Sequence, residues 1–387
     1  MKEVYLDNSA TTHISEEALE KYNEISRDCY GNPSSLHRLG FDAEKILDEA
    51  RVQITSSLGA KGSTVVFTAS GSEANNLAII GRALSKDRYM GKAKIITTEG
   101  EHASVDAPLL MLQKMGYKIA KIPTRGGIID MDSLARELTP DVILVTVMMV
   151  NNETGALYDT ASVSKLMKAK CPDAFLHIDA TQSYLKIPFT KARCGADMIT
   201  LSSHKIEGPK GVGALLIDPA VIKARGLAPL ILGGGQEGGL RSGTENVPGI
   251  AAFGEAVKIG SAKLRERFEK ISALRAYAID RVTTELHEIS ITDPASHAPH
   301  ILNITLPKIK SETMLHYLSS LGIYVSSGSA CSSNSGHSSS ALTSYGRSAE
   351  EADTSIRISF SYRNELGDVD LLVDALRSGL EKLSRIK

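Results

Sequence analysis

Lys205 is the first residue whose setting suggests chemistry. It lies in Ser202-Ser203-His204-Lys205-Ile206-Glu207-Gly208-Pro209-Lys210-Gly211, just after an apolar β-rich run and before a Gly/Pro-rich turn. A lysine amine forms Schiff bases with carbonyl groups once its surroundings bring its pKa from ~10.4 toward ~7–8. The plain alternative is a surface lysine at a strand end. Ser202 and His204 weigh against it, because both side chains can reach an anion beside the amine. Upstream, Asp179 closes an apolar run in His177-Ile178-Asp179-Ala180-Thr181-Gln182. Open α/β sheets hold ligands beyond the carboxyl ends of their strands, so a carboxylate there is well placed. It can cap a helix, or it can keep a pyridine nitrogen protonated. With Lys205 downstream, the second reading is favoured.

Gly71-Ser72 opens a helical stretch directly after the strand-like Thr64–Thr68. Helix N-terminal N–H groups plus a hydroxyl make a phosphate site, although an ordinary turn looks the same in sequence. Gly233-Gly234-Gly235-Gln236-Glu237-Gly238-Gly239 lacks the strand-before, helix-after setting of a dinucleotide fingerprint and is read as a flexible loop. Arg357, in Ser355-Ile356-Arg357-Ile358-Ser359, has apolar neighbours that bury its stem, and its planar fork suits a carboxylate. Free cysteines are most often inert and buried, which fits Cys29, Cys171 and Cys194. Cys331 is different: it lies in a Ser/Gly-rich run from Ser326 to Ser340 with almost nothing apolar to pack against. That run cannot order itself by burial, so a mobile loop is expected. Extended, the nine residues from Cys331 to Ser340 reach up to ~30 Å, enough for one thiol to visit two places. A protease-like Cys331–His337 pair is the weaker reading, because a mobile loop holds no fixed hydrogen-bond geometry.

The elements that would position these residues follow from apolar periodicity. Thr64–Thr68, Lys94–Thr98, Tyr117–Pro123, Val142–Val150, Ala174–Asp179, Met198–Leu201 and Val212–Ile217 read as strands; Ser104–Met115, Asp132–Leu138 and Thr160–Lys170 read as helices. Val142–Val150 has no polar alternation, the mark of a strand buried on both faces of a parallel sheet. Alternating strands and helices predict one large α/β layer domain. From about Val247 to Leu286 the pattern is helical, long enough to connect two bodies. Beyond it, strands at Ile301–Leu306, Ile323–Val325 and Ser355–Ser361 with helices at Glu312–Leu321 and Asp368–Ile386 form a smaller α+β unit.

Composition excludes several classes. The 387 residues amount to roughly two domains at ~150 residues each. With 44 Lys+Arg against 45 Asp+Glu, the net charge of −1 carries no footprint of a nucleic-acid or membrane-surface binder. No apolar run approaches the ~18–20 residues of a bilayer span. Four scattered cysteines make neither a disulfide framework nor a C-x-x-C metal site. Met1-Lys2-Glu3-Val4-Tyr5 lacks the build of a signal peptide, so a cytoplasmic location is expected.

A set of motifs then acts together: Tyr5-Leu6-Asp7-Asn8-Ser9-Ala10-Thr11-Thr12, Gly31-Asn32-Pro33-Ser34-Ser35-Leu36-His37, Glu101-His102, Val150-Asn151-Asn152-Glu153-Thr154-Gly155, the Asp179 and Lys205 segments, Arg241-Ser242-Gly243-Thr244 and Ser326-Ser327-Gly328-Ser329-Ala330-Cys331. Their order over nearly the whole chain resembles the cysteine desulfurases, in the branch similar to the housekeeping and nitrogen-fixation enzymes. The resemblance implies an α/β fold of the fold-type I kind, which uses pyridoxal 5'-phosphate. A large domain (15–257) would carry a mostly parallel sheet, and a smaller α+β domain (1–14 with 258–387) would carry the cysteine loop (about 326–342). It implies a homodimer that converts L-cysteine to L-alanine and holds the sulfur as a persulfide.

Carried over by residue, the resemblance makes Lys205 the Schiff-base lysine, Cys331 the sulfur acceptor, and His102 the ring-stacking residue that helps move protons. Asp179 would pair with the pyridine nitrogen, while Gln182 and Asn152 reach the ring oxygen and its neighbourhood. Gly71, Ser72, Ser202 and His204 would hold the phosphate, with Thr244 donated by the other subunit. Arg357 and Asn32 would bind substrate. Cys331 would serve as a metal ligand only transiently, for an iron–sulfur cluster shared with a scaffold partner. Sulfur acceptors in such a family include iron–sulfur scaffolds and transfer-RNA thiolation enzymes, with no direct nucleic-acid or membrane contact. The Ser-rich stretch Asn334–Ser340 departs from the family pattern and bears on which acceptor is served. A selenocysteine lyase, another pyridoxal phosphate lyase or an aminotransferase, and a non-catalytic scaffold are the competing readings; the cysteine loop speaks against an aminotransferase, and Lys205, Asp179, Arg357 and Cys331 together speak against lost catalysis.

Overall fold

The computed structural model describes residues 3–86, 91–327 and 339–383. In it the β-branched runs become strands: β1 (Val4–Tyr5), β2 (Thr64–Thr68), β3 (Lys94–Thr98), β4 (Lys118–Ile122), β5 (Val142–Met148), β6 (Phe175–Asp179), β7 (Met198–Ser202) and β8 (Gly213–Ile217). Strands β2 to β8 form one sheet in the order β2-β8-β7-β6-β5-β3-β4. Its two faces are both covered. Phe67, Ile96, Val145, Ile199 and Leu216 point into one apolar cluster, and their sequence neighbours Val66, Ile95, Leu144, Met198 and Leu215 into another. Successive strand side chains face opposite ways, which is why these strands carry apolar residues on both faces.

The sheet is mostly parallel, with one exception. β8 runs antiparallel to both β7 and β2. Only the segment 203–212 joins β7 to β8, too short for the crossover of a dozen or more residues that a parallel partner needs. Every other strand end therefore faces the same rim as the end of β7. At that rim lie the turn before helix Gly71–Leu84, the His102 cap of helix Ala103–Lys114, Asn152, Asp179 and Ser202.

A third apolar cluster gathers Val4 and Leu6 with Leu274, Val282, Leu302, Ile304, Met314, Ile356, Ile358 and Leu372. It is built on β9 (Ser290–Thr292), β10 (Ile301–Thr305), β12 (Ser326–Ser327) and β13 (Ser355–Ser359), ordered β12-β13-β10-β9, while β11 (Ile323–Tyr324) pairs with β1. Helices Ser311–Ser320 and Leu366–Leu383 pack on it.

Three expectations are corrected. The stretch Val247–Leu286 is two helices, Val247–Ala262 and Leu264–Glu285, because the backbone breaks at Lys263 (φ −103°, ψ 6°). The glycine-rich segment 233–239 is pinned: the buried Glu237 carboxylate accepts from Phe67 N–H at 2.8 Å and from Arg51 Nη2 at 2.8 Å. Ser326–Ser327 is a strand paired with Ile356 and Arg357, where a mobile loop was expected to begin. Cys331, His337 and the rest of 328–338 lie outside the described residues. Among the described residues no helix is long and apolar enough to cross a membrane.

Candidate active site

At the strand-end rim a cavity of about 350 Å³ opens between the large sheet and β12–β13. Ten of the predicted residues line it: Gly71, Ser72, His102, Asn152, Asp179, Gln182, Ser202, His204, Lys205 and Arg357. Two others do not. Asn32 is exposed on the turn before helix Arg38–Ser57, where its Oδ1 accepts from Ser34 N–H at 2.9 Å. Thr244 lines a separate cleft with Arg241 and Glu237.

Asp179, the last residue of β6, is held by two donors. Its Oδ1 accepts from Thr181 N–H at 2.9 Å and its Oδ2 from Asn75 Nδ2 at 2.8 Å. Asn75 also donates to Ser104 Oγ at 2.8 Å. Ser104 in turn meets His102 Nδ1, by its hydroxyl at 2.8 Å and its backbone N–H at 3.1 Å. His102 Nδ1 is thus an acceptor, because a backbone N–H can only donate, and the ring's proton resides on Nε2. Burial holds the His102 pKa below its ordinary value, with Lys205 pushing the same way and Asp179 opposing. A neutral imidazole with Nε2–H is therefore wired through Ser104 and Asn75 to the Asp179 carboxylate. Sequence reading missed Asn75 and Ser104. Asn75 stands one helical turn after Gly71, a spacing that puts both on one face, and that was the available signal.

On the facing side, Lys205 Nζ donates to Ser9 O at 2.6 Å and Ala10 O at 2.8 Å. His204 Nδ1 meets Thr11 Oγ1 at 3.1 Å, and burial together with Lys205, Lys186 and Lys210 pushes its pKa down to about 4. Helix Gly71–Leu84 points its first turn into the cavity, capped by Ser70 Oγ accepting from Glu73 N–H. A Cβ on Gly71 would lie 3.2 Å from Ser202 Cβ and 3.3 Å from Thr181 Oγ1, so the open space there depends on glycine.

Arg357 enters from β13, an inner strand rather than an edge. Its Nη1 donates to Asn152 O and its Nη2 to Asp7 Oδ1, both at 2.9 Å, while its buried Nε has no partner among the described residues. Beside it Glu153 bonds Ser339 Oγ; burial pushes its carboxyl up to about 7, against the pull of Ser339 and Arg357. Behind the His102 cap, Glu101 is buried under β5 and accepts from Met148 N–H at 2.9 Å. Burial raises its carboxyl to about 8. Among the described residues no group of three His, Cys, Asp or Glu could hold a metal ion.

Residues 4–372 match the family model described as aminotransferase class-V. The protein named cysteine desulfurase IscS from Dictyoglomus turgidum is 37% identical over 387 residues, covering 100% of this chain and 96% of that one. Among solved structures, a NifS-like protein superimposes with a TM-score of 0.90 at 32% identity, over 99% of this chain and 100% of the other. SspA, solved in complex with cysteine, gives a TM-score of 0.80 at 31% identity over 93% and 99% of the two chains. The chain belongs to the aminotransferase class-V family, in its cysteine desulfurase branch, and carries that family's fold-type I architecture.

Proposed function

We propose that this protein is a cysteine desulfurase that takes L-cysteine to L-alanine and passes the sulfur to Cys331. The observation that carries the reading is the convergence on one cavity of an amine, a held carboxylate, a neutral imidazole and an arginine whose Nε has no partner among the described residues. The family's cofactor is pyridoxal 5'-phosphate, and the residues present suit it. The open first turn at Gly71 and Ser72, with Ser202 and His204, suits a phosphate. Asp179 suits a protonated pyridine nitrogen, and Lys205 an aldehyde.

When bound, the cofactor joins amino groups through its aldehyde and draws negative charge away from the substrate Cα. Everything else falls to the chain. Arg357 orients the substrate carboxylate, with its fork fixed by Asn152 O and Asp7. Lys205, once its amine is free, removes the Cα proton. His102, neutral and carrying its proton on Nε2, shuttles a proton at the thiol. The Cys331 thiolate attacks the substrate sulfur, forming an S–S bond as the Cβ–S bond breaks, and a proton delivered to Cβ completes alanine.

Tyr30, Leu36 and Leu232 expose 75%, 90% and 79% of their surfaces, which suits a homodimer in which Thr244 serves the partner's cavity. Asn32 contributes to substrate binding, and residues 15–257 act as the large domain against 1–14 with 258–387. A cytoplasmic location and a protein acceptor for the sulfur, such as an iron–sulfur scaffold or a transfer-RNA thiolation enzyme, complete it. Brief exposure to L-cysteine followed by peptide mass spectrometry tests the reaction: one added sulfur on the peptide containing Cys331 is expected. Sulfur on another cysteine, or alanine release undiminished in Cys331→Ser, contradicts it.

A further inference from the structure

A second, smaller chamber of about 40 Å³ lies on the far side of Lys205. Lys205 is a wall of both spaces; Lys186, Glu207, Arg267 and His300 line only the second. Glu207 is paired there, with Arg267 at 3.1 Å and Arg363 at 3.5 Å. His300 is buried, and neither ring nitrogen is bonded to any of the described residues. Lys186 reaches the other way: its Nζ donates to Gln182 Oε1 at 3.4 Å, and Gln182 Nε2 donates to Ser9 O at 2.9 Å. Ser9 O is the same carbonyl that accepts from Lys205 Nζ.

This chain of contacts fixes a choice that a glutamine leaves open. A backbone carbonyl can only accept, so Ser9 O takes a Gln182 N–H, and the amide oxygen is left toward Lys186, whose Nζ donates to it. The second N–H of Gln182 is then the group offered to the cofactor cavity that Gln182 lines. We propose that Lys186 is a positioning residue for the reaction: it orients the Gln182 amide to present an N–H to the cofactor and sets a second amine against Lys205 from behind. The proposal rests on the cofactor reading above.

Electrostatics act in the same sense. Burial brings the Lys186 amine down to about 7, Lys205 and Arg357 push it the same way, and Glu207 opposes. His300, also in the chamber, is kept uncharged by burial, with Lys186 and Arg357 adding to the effect. Repulsion between two amines is mutual, so charge on Lys186 disfavours a proton on the Lys205 nitrogen.

The test uses the full-length, cofactor-loaded protein without substrate and reads the pH midpoint of its visible absorption. Lys186→Met withdraws both the charge and the hydrogen bond to Gln182, and is expected to move the midpoint upward by on the order of one unit. Lys186→Gln keeps an amide donor without the charge and is expected to move it less, in the same direction; it carries the test if the methionine variant does not fold. A merely structural lysine would lower the thermal midpoint and leave the absorption midpoint in place, and that result overturns the proposal. Borohydride labelling of the wild type separates the two readings. Absence of a label on Lys205 overturns the cofactor assignment itself, whereas a labelled Lys205 with an unmoved midpoint overturns only the role of Lys186.

Discussion

Arg357→Lys keeps a positive charge in the cavity and removes the fork. In the structure the guanidinium is fixed at two points, Nη1 on Asn152 O and Nη2 on Asp7 Oδ1, which leaves its Nε, without a partner among the described residues, and the remaining Nη hydrogens to face a ligand. A lysine ammonium cannot keep both anchors and still present two parallel donors to a carboxylate. A hydrogen bond to a charged group contributes about 1.5–3 kcal/mol, so losing one lowers kcat/KM for L-cysteine roughly 10- to 150-fold. The loss should appear mainly in KM, because the carboxylate is bound in the ground state as in the transition state. Steady-state alanine formation measures it for L-cysteine. Sulfide release measured in parallel with 2-aminoethanethiol, which lacks the carboxylate, provides the control: the substitution should barely change its kcat/KM. Equal losses on both compounds would mean that Arg357 supports the walls of the cavity and does not bind the carboxylate, which refutes the assignment.

Asn75→Ala cuts the link between Asp179 and Ser104. Its single charge-assisted bond to Asp179 puts the expected fall in kcat at roughly 10- to 100-fold, with the discrimination between L-cysteine and 2-aminoethanethiol retained; full activity would show that the network is idle. Glu101 makes stability depend on pH. Its carboxyl titrates at 4.5 when unfolded and at about 8 when folded, chiefly because of burial, so between these values the native state holds a proton that the unfolded chain has lost. Its contribution is fully present below pH 4.5 and is lost as pH rises through about 8, an effect of up to about 5 kcal/mol at 1.36 kcal/mol per pH unit. Glu101→Gln, shaped like the neutral acid, should flatten the decline in urea midpoint between pH 5 and pH 8.5; an unchanged decline would assign the slope elsewhere.

Much of the scaffold was legible because its strands are β-branched and buried on both faces, and because ligand-bearing residues follow strand ends. Asp179, Ser202, His102 and Asn152 were reachable by that rule alone. The direction of β8 is not written in its own residues, although the short connection 203–212 contains it. Helices Glu16–Asp28 and Arg38–Ser57 went unread. In the second, buried Ala43, Leu47, Ala50 and Ile54 recur at helical spacing and were there to be seen. The break at Lys263 was not, since its neighbours continue the helical pattern on both sides. Within the site, motif residues were visible and their supports were not. Asn75 acts on Asp179 across 104 residues, and Lys186 faces Lys205 only because the chain folds back between them. Local patterning carries no record of such pairings.

The central claim is that the amine of Lys205 carries the cofactor. Borohydride reduction of the purified protein, followed by peptide mapping, addresses it directly. The account predicts one pyridoxyl label per chain, on Lys205 and not on the neighbouring Lys186, and none on Lys205→Ala. A reduced protein whose Lys205 is unmodified would contradict it.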